Sequence, residues 1–332
     1  MKKILNDPNK FVDESLAGIL LAHPDQLRGL QDDPRAVVRA DAPVAGKVAI
    51  ATGGGYGHLP VFLGYVGKGL ADGVCVGNVF TSPSADSMLA VAKEINSGSG
   101  VLFLYGNYFG DKMNFELAQE LAEEEGIQVE AVRVTDDVTS APFEQKQKRR
   151  GVAGIFFAYK IAGACAESGA SLEEVKCVAE KTVENIRSMG IGFTPATIPA
   201  SGNPSFEIDE DEVEIGIGIH GEPGIFRQKA AGAKEYVNEL MGKISKDLGL
   251  SARDEVAVLV NGLGSSSLEE LYIGYREVYR WLDEKQIKIY RPFIGEYGTS
   301  LEMGGFSLSI LKLDDELKTF LDEPARSPFI SI

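Results

Sequence analysis

Short apolar runs that break straight into glycine, alternating with runs of helical spacing, restrict the folding of this chain more than any other feature. Residues 47–52 (KVAIAT) read as a buried strand ending in Gly53-Gly54-Gly55. Gly73–Val79 and residues 101–105 (VLFLY) read as two more strands, and residues 84–95 between them have helical spacing. Residues 113–125 read as a helix stopped by Gly126, and Val129–Val134 as the next strand. Side chains two apart share one face of a strand, whereas those three or four apart share one face of a helix. The alternation predicts an α/β sheet with helices on its faces. Residues 151–168 and 171–189 read as two consecutive helices, the second opened by a capping box of Ser171 and Glu174.

The texture changes near Gly190, where proline and glycine cluster in IGFTPATIPASGNPSF. Residues 212–219 (EVEIGIGI) then alternate like a strand and end at His220. A helix over 230–248, a strand over 256–260 running into Asn261-Gly262-Leu263-Gly264, a helix over 268–285, a strand over 287–290 and an apolar stretch at 307–313 form a second α/β unit. The 332 residues fit two domains at roughly 150 each. The expectation is two α/β domains, 1–189 and 190–332, each a mostly parallel or mixed sheet flanked by helices. The acidic run 207–212 reads as solvated.

Charge and cysteine content narrow the function. The net charge of −16 disfavours nucleic acid and anionic lipid as partners. No apolar run reaches the roughly 18 residues of a membrane span, and the N-terminus lacks the apolar core of a secretory signal. Cys75, Cys165 and Cys177 stand at unrelated spacings, which disfavours a disulfide framework or a zinc cluster and suits a reducing cytoplasm.

The chemistry has few candidate sites. The pattern G-x-x-x-x-G-K-[ST] is absent. In Gly53-Gly54-Gly55-Tyr56-Gly57-His58 the histidine takes the last place of G-x-G-x-x-G, so a dinucleotide fold is a weak reading. The run is either a tight strand-to-helix turn or a loop whose N–H groups approach a small polar ligand. Among the three histidines, His23 precedes Pro24 in a helix-like segment and reads as a cap or surface residue. His58 and His220 each follow a strand and a glycine-rich stretch, where α/β sheets place ligands. No third suitable ligand accompanies them, which argues against a metal. Asp111 follows the strand VLFLY and is either a helix N-cap or a general base. Ser82, before Pro83, is either an N-cap or a hydroxyl facing the pocket. Arg149-Arg150 reads as surface or interface.

The segment GGGYGHLPVFLGYVGKGLADGVCVGNVFTSPSAD, with GNYFGDKMNFE, RRGVAGIFFAYKIAGA, SLEEVKCVAEK, NIRSMGIGFTP and EIGIGIHGEPG, resembles the dihydroxyacetone kinase family in its dihydroxyacetone-binding K subunit. The resemblance runs in order along essentially the whole chain. It implies two α/β domains, a homodimer, and a ketone held as a hemiaminal on the histidine matching His220. It also implies acid–base roles for His58 and Asp111. By the same resemblance, and by the pocket reading of Ser82, the substrate-binding residues are Gly55, Tyr56, Gly57, His58, Ser82, Gly106 and Asp111, with no metal in this chain. The family loop usually reads GGGSGHEPAHAGYVG, so Tyr56, Leu59 and Phe62 are departures, and Gly106 stands where the family has a substrate-binding lysine. These departures leave a short-ketose kinase, with erythrulose as an alternative to dihydroxyacetone. The nucleotide, ADP or ATP with magnesium, is expected on a separate L-type subunit, because the chain is too short for a fused L domain. The runner-up reading is a ketose-sensing coactivator of a transcription regulator; a nicotinamide-dependent oxidoreductase is disfavoured.

Overall fold

Strand pairing explains most of where the chain goes. The structure, a computed structural model, describes residues 2–332. Helix α1 (Phe11–Ala22) leads into β1 (Leu27–Gly29), β2 (Ala36–Arg39), β3 (Ala49–Tyr56) and β4 (Gly73–Val79). Helix α2 (Ala85–Ile95), β5 (Val101–Gly106), α3 (Phe109–Glu124) and β6 (Val129–Val134) complete the first sheet, ordered β1-β2-β4-β3-β5-β6. β4, β3, β5 and β6 run parallel, with β2 and β1 antiparallel at the edge. Every residue of β3 is buried, as befits a central strand covered on both faces.

Helices α4 (Ile155–Glu167) and α5 (Leu172–Glu184) follow, and the expected capping box of Ser171 and Glu174 opens α5. The chain then enters β7 (Ile186–Thr194), β8 (Glu212–Ile215), β9 (Phe226–Lys229), α6 (Ala233–Leu248), β10 (Glu255–Gly262), α7 (Leu268–Glu284), β11 (Lys288–Gly295), β12 (Gly304–Leu313) and α8 (Asp315–Asp322). The second sheet is ordered β11-β10-β12-β7-β8-β9, and only β10 and β11 are parallel. Both sheets are mixed and flanked by helices, so the α/β class stands.

Several local expectations give way to longer-range pairing. Residues 186–189, expected as helix, are strand, because Ile186–Thr194 pairs with β12 and that ladder overrides helical spacing. β7 therefore lies whole in the second sheet and runs through position 190. The glycines of Gly53–Gly55 extend β3 rather than ending it. β8 stops at Ile215, because the chain leaves the sheet at Gly216, whose φ is +83°. The residues of the acidic run are half-buried or exposed, as expected. Among the described residues no helix is long and apolar enough to cross a membrane. Cys75 and Cys165 are buried, Cys177 is exposed, and none is in a disulfide.

Helix α4 ties the two sheets together. All its residues from Ile155 to Ala166 are buried, the mark of a helix inside a core rather than on a surface. One apolar cluster holds Phe156, Phe157 and Ile161 of α4 with Ile50 and Leu102 from the first sheet and Leu259, Phe293 and Leu311 from the second. The chain end returns to the first half, where Arg326 bridges Lys68 and the Ser327 hydroxyl donates to the Gly64 carbonyl.

Candidate active site

The site lies where the two halves meet. Past the end of β3, Gly57 takes a φ of +106°, a conformation open to glycine; a Cβ there would also stand 2.9 Å from the Phe80 ring. The turn drops His58 into the interior, where it is 0% exposed. A loop of the second half meets it: Thr299 N–H donates to the His58 carbonyl at 3.2 Å, and Leu301 N–H donates to the Gly57 carbonyl at 2.7 Å. The Thr299 carbonyl lies 2.8 Å from His58 Nδ1. A carbonyl only accepts, so the ring proton belongs on Nδ1 and the lone pair on Nε2. That Nε2 is buried without a partner. Phe80 stacks on the ring, with centroids 4.9 Å apart. Burial first, then the neighbouring His220, push His58 down to about 3, so it is neutral near pH 7.

His220 arrives from the other side on a loop that closes on itself. Gly218 N–H donates to the Glu222 carbonyl, and Gly221 N–H to the Gly218 carbonyl, both at 3.0 Å. The His220 side chain is 21% exposed. Its ring meets those of Tyr108, His58 and Phe80 at centroid distances of 4.7, 4.8 and 5.3 Å. Nδ1 lies 2.8 Å from Glu222 Oε1.

Asp111 comes from α3. It is not the N-cap, a position that Tyr108 fills without a side-chain bond. The helix starts at Phe109, earlier than its apolar spacing suggests, and this puts Asp111 in the first turn. It is 5% exposed and its Oδ1 has no partner. Burial raises it to about 6, against the opposing pull of the Ser82 hydroxyl and of His220. A carboxyl held there suits proton transfer near neutral pH.

The other expected residues divide. Ser82 does not cap α2; Ser84 does, accepting from Ser87 N–H. The Ser82 hydroxyl instead lies over the first turn of α3, where a Cβ on Gly110 would come within 2.7 Å of it. Gly55 lets the strand end lie against Phe80 and Thr81, since a Cβ would stand 2.6 Å from Thr81 N. The Tyr56 side chain points to α1: its hydroxyl pairs with Ser15 and its ring packs on Phe11. Gly106 ends β5 beside Tyr108, where a Cβ would make ordinary contacts at 3.4 Å and beyond. His23 lies apart as the C-cap of α1.

Arg149 and Arg150 do not sit on the surface. Arg149 is 1% exposed and bidentate on Asp247, at 2.8 and 2.6 Å. Arg150 binds Asp137 beside the site. Arg149 is internal because Asp247, 98 residues on, meets it. Glu222, Phe80, Tyr108 and Thr299 also escaped selection from sequence. Glu222 and Tyr108 stand inside quoted motifs, within three residues of His220 and Asp111, so proximity to those candidates was their one signal.

Comparison with known proteins identifies the family. The Dak1 domain matches residues 17–329. The chain is 43% identical, over 100% of both sequences, to the dihydroxyacetone-binding subunit DhaK of PTS-dependent dihydroxyacetone kinase 2 from Listeria innocua. It is 42% identical to the D-erythrulose kinase of Mycolicibacterium smegmatis, covering 99% of this chain and 56% of that one. A solved dihydroxyacetone kinase operon co-activator, Dha-DhaQ, is 33% identical with a TM-score of 0.88, covering 95% of this chain and 96% of that one. With two mixed sheets and a domain match along nearly its whole length, the chain belongs to the dihydroxyacetone kinase family, in its dihydroxyacetone-binding K-subunit branch.

Proposed function

We propose that this chain is the substrate-binding subunit of a short-ketose kinase. It captures the ketone as a hemiaminal on Nε2 of His220 and presents a terminal hydroxyl for phosphorylation. The observation that carries the reading is convergence. His58 Nε2 is buried without a partner against a partly exposed imidazole whose Nδ1 is engaged, and Asp111 Oδ1, within electrostatic reach of that imidazole, is buried without one too. Orphaned polar atoms of this kind call for a polar ligand. A neutral imidazole adds to a carbonyl, so dihydroxyacetone or erythrulose can be held and glycerol cannot. Asp111 takes the hydroxyl proton as phosphate arrives; His58, neutral and fixed, accepts a hydrogen bond from the substrate. The phosphate comes from a nucleotide on a separate L-type subunit, either ADP recharged by a phosphotransferase system or ATP, with magnesium, and this chain works as a homodimer.

A coupled assay with the cognate L subunit, comparing dihydroxyacetone with both erythrulose enantiomers, tests the reading. The expected result is phosphorylation of at least one ketose with the partner present, and none from ATP with this chain alone. Turnover by the rigorously pure chain would overturn the two-component scheme. The likeness to a co-activator favours a second reading, in which the ketone is sensed rather than phosphorylated. Capture without turnover beside a competent L subunit would support it. His58 and Asp111 weigh for the kinase, because sensing needs mainly the capturing histidine.

A further inference from the structure

Building on the proposed capture at His220, we infer that Glu222 is the positioning residue that makes Nε2 the nucleophile, by holding the ring proton on Nδ1 and shielding the positive charge formed as the bond to carbon closes. Glu222 grips its target twice. Oε1 lies 2.8 Å from His220 Nδ1, and Oε2 accepts the His220 backbone N–H at 2.9 Å. A carboxylate accepts only, so Nδ1 carries the hydrogen and the lone pair stands on Nε2.

Glu222 is itself held. Arg150 Nη1 lies 3.9 Å from Oε2, and Asp137 Oδ2 anchors Arg150 through Nη2 at 2.7 Å and Nε at 2.9 Å. Asp137 Oδ1 accepts from the Thr139 hydroxyl at 2.6 Å and from Thr139 N–H at 3.0 Å. The Glu222 carboxylate and the Arg150 guanidinium also fill the space that a side chain at Gly218 would need: a Cβ there would overlap both. The His220 loop is thus shaped around this ion pair. Burial works against the charge on Glu222, but the hydrogen bond from His220 and the positive charge of Arg150 hold its carboxyl well below the usual carboxylate range.

The capture step balances. The Nε2 lone pair bonds the carbonyl carbon, the π pair moves to oxygen, and that oxygen takes one proton from solvent. The ring keeps its Nδ1 proton on Glu222, so ketone, neutral imidazole and one solvent proton give a hemiaminal whose imidazolium is paired with the Glu222 carboxylate. Glu222 stays a carboxylate throughout, as the acid beside the histidine of a catalytic triad does.

Glu222→Gln separates positioning from mere loop support. Glutamine has one oxygen for two N–H groups. If that oxygen takes the backbone N–H, its amide faces Nδ1 and drives the ring proton to Nε2. The probes are the ¹⁵N imidazole spectrum of the full chain and ¹³C-carbonyl dihydroxyacetone added without phosphoryl donor. We expect Nδ1–H in wild type, a shift toward Nε2–H in Glu222→Gln, and capture weakened roughly 10–10²-fold, as when the outer partner of a ligating histidine is lost. Glu222→Asp should recover part of both signals. An unchanged tautomer in a folded Glu222→Gln, with or without lost capture, would overturn the assignment. Wild type that forms no ¹³C adduct would instead overturn the hemiaminal reading. The tautomer spectrum needs no ketone, so it decides separately whether Glu222 sets the ring proton.

Discussion

The rings of His58 and His220 meet in a T, 4.8 Å between centroids, yet they occupy opposite settings. His58 is fully buried, its Nδ1 spent on a backbone carbonyl and its face covered by Phe80. His220 stands partly in solvent, its Nδ1 on a carboxylate. A carbonyl partner and burial keep an imidazole neutral and still; a carboxylate partner tolerates the charge that covalent chemistry makes. In the proposed function the same side chain serves as a fixed acceptor in one half of the molecule and as the reactive group in the other. Sequence context alone, glycine-rich and after a strand in both cases, does not separate them.

The largest expected effect breaks the comparison from the reactive side. His220→Ala should abolish detectable ketone capture by calorimetry, while His23→Ala leaves it unchanged. Full capture by the His220 variant would transfer the reactive role elsewhere. Next, Asp111→Asn should fold, still capture ketone, and lose roughly 10²–10⁴-fold in turnover with the L partner. The wild-type rate should rise as pH climbs through about 6, where Asp111 deprotonates, and the Asn variant should lack that rise. A smaller effect is expected on the buried side. His58→Gln removes one hydrogen bond rather than a base and should cost roughly tenfold in turnover. A pH–rate inflection near neutrality that vanishes in this variant would show that His58 titrates there, and would erase the distinction drawn above.

The smallest effect is on stability. Asp111 has a folded pKa raised above its ordinary 3.8, so the folded chain keeps a proton that the unfolded chain releases. Its favourable contribution is full below about 4 and is lost as pH rises through about 6. At pH 7 the ligand-free Asp111→Asn chain should therefore be more stable by about 1–2 kcal/mol in denaturant melts, after allowing for lost charge at the helix start. A less stable variant would mean that the carboxylate is better paired than its surroundings suggest.

Much of this was readable in the sequence, for identifiable reasons. Gly73–Val79 and Val129–Val134 have the predicted bounds, because β-branched runs flanked by turn residues leave little choice. Ser171 and Glu174 announce α5 by side-chain chemistry that is local. His58 and Asp111 are legible because each follows a strand of the parallel part of the first sheet, and His220 because it ends a glycine-rich stretch after a strand. Other features depend on partners far away in the chain. Ile186–Thr194 becomes strand through β12, Thr299 reaches His58 across 241 residues, and Arg149 is internal because Asp247 meets it. The Tyr56 ring turns to Phe11 of α1, a direction that its place in the glycine-rich run does not reveal. No local pattern encodes such meetings.

The buried helix α4 has a consequence for how the molecule fails. Because one apolar cluster runs from the first sheet through α4 into the second, neither sheet can melt and leave the other's core intact. The two should unfold in a single cooperative transition, with no half-folded species at its midpoint. A ketose bound only at His220 would then raise the melting temperature of the whole chain, distant β1 and β2 included, by mass action on the one folded state. Cutting the chain between α5 and β7 would yield two aggregation-prone pieces rather than two smaller proteins.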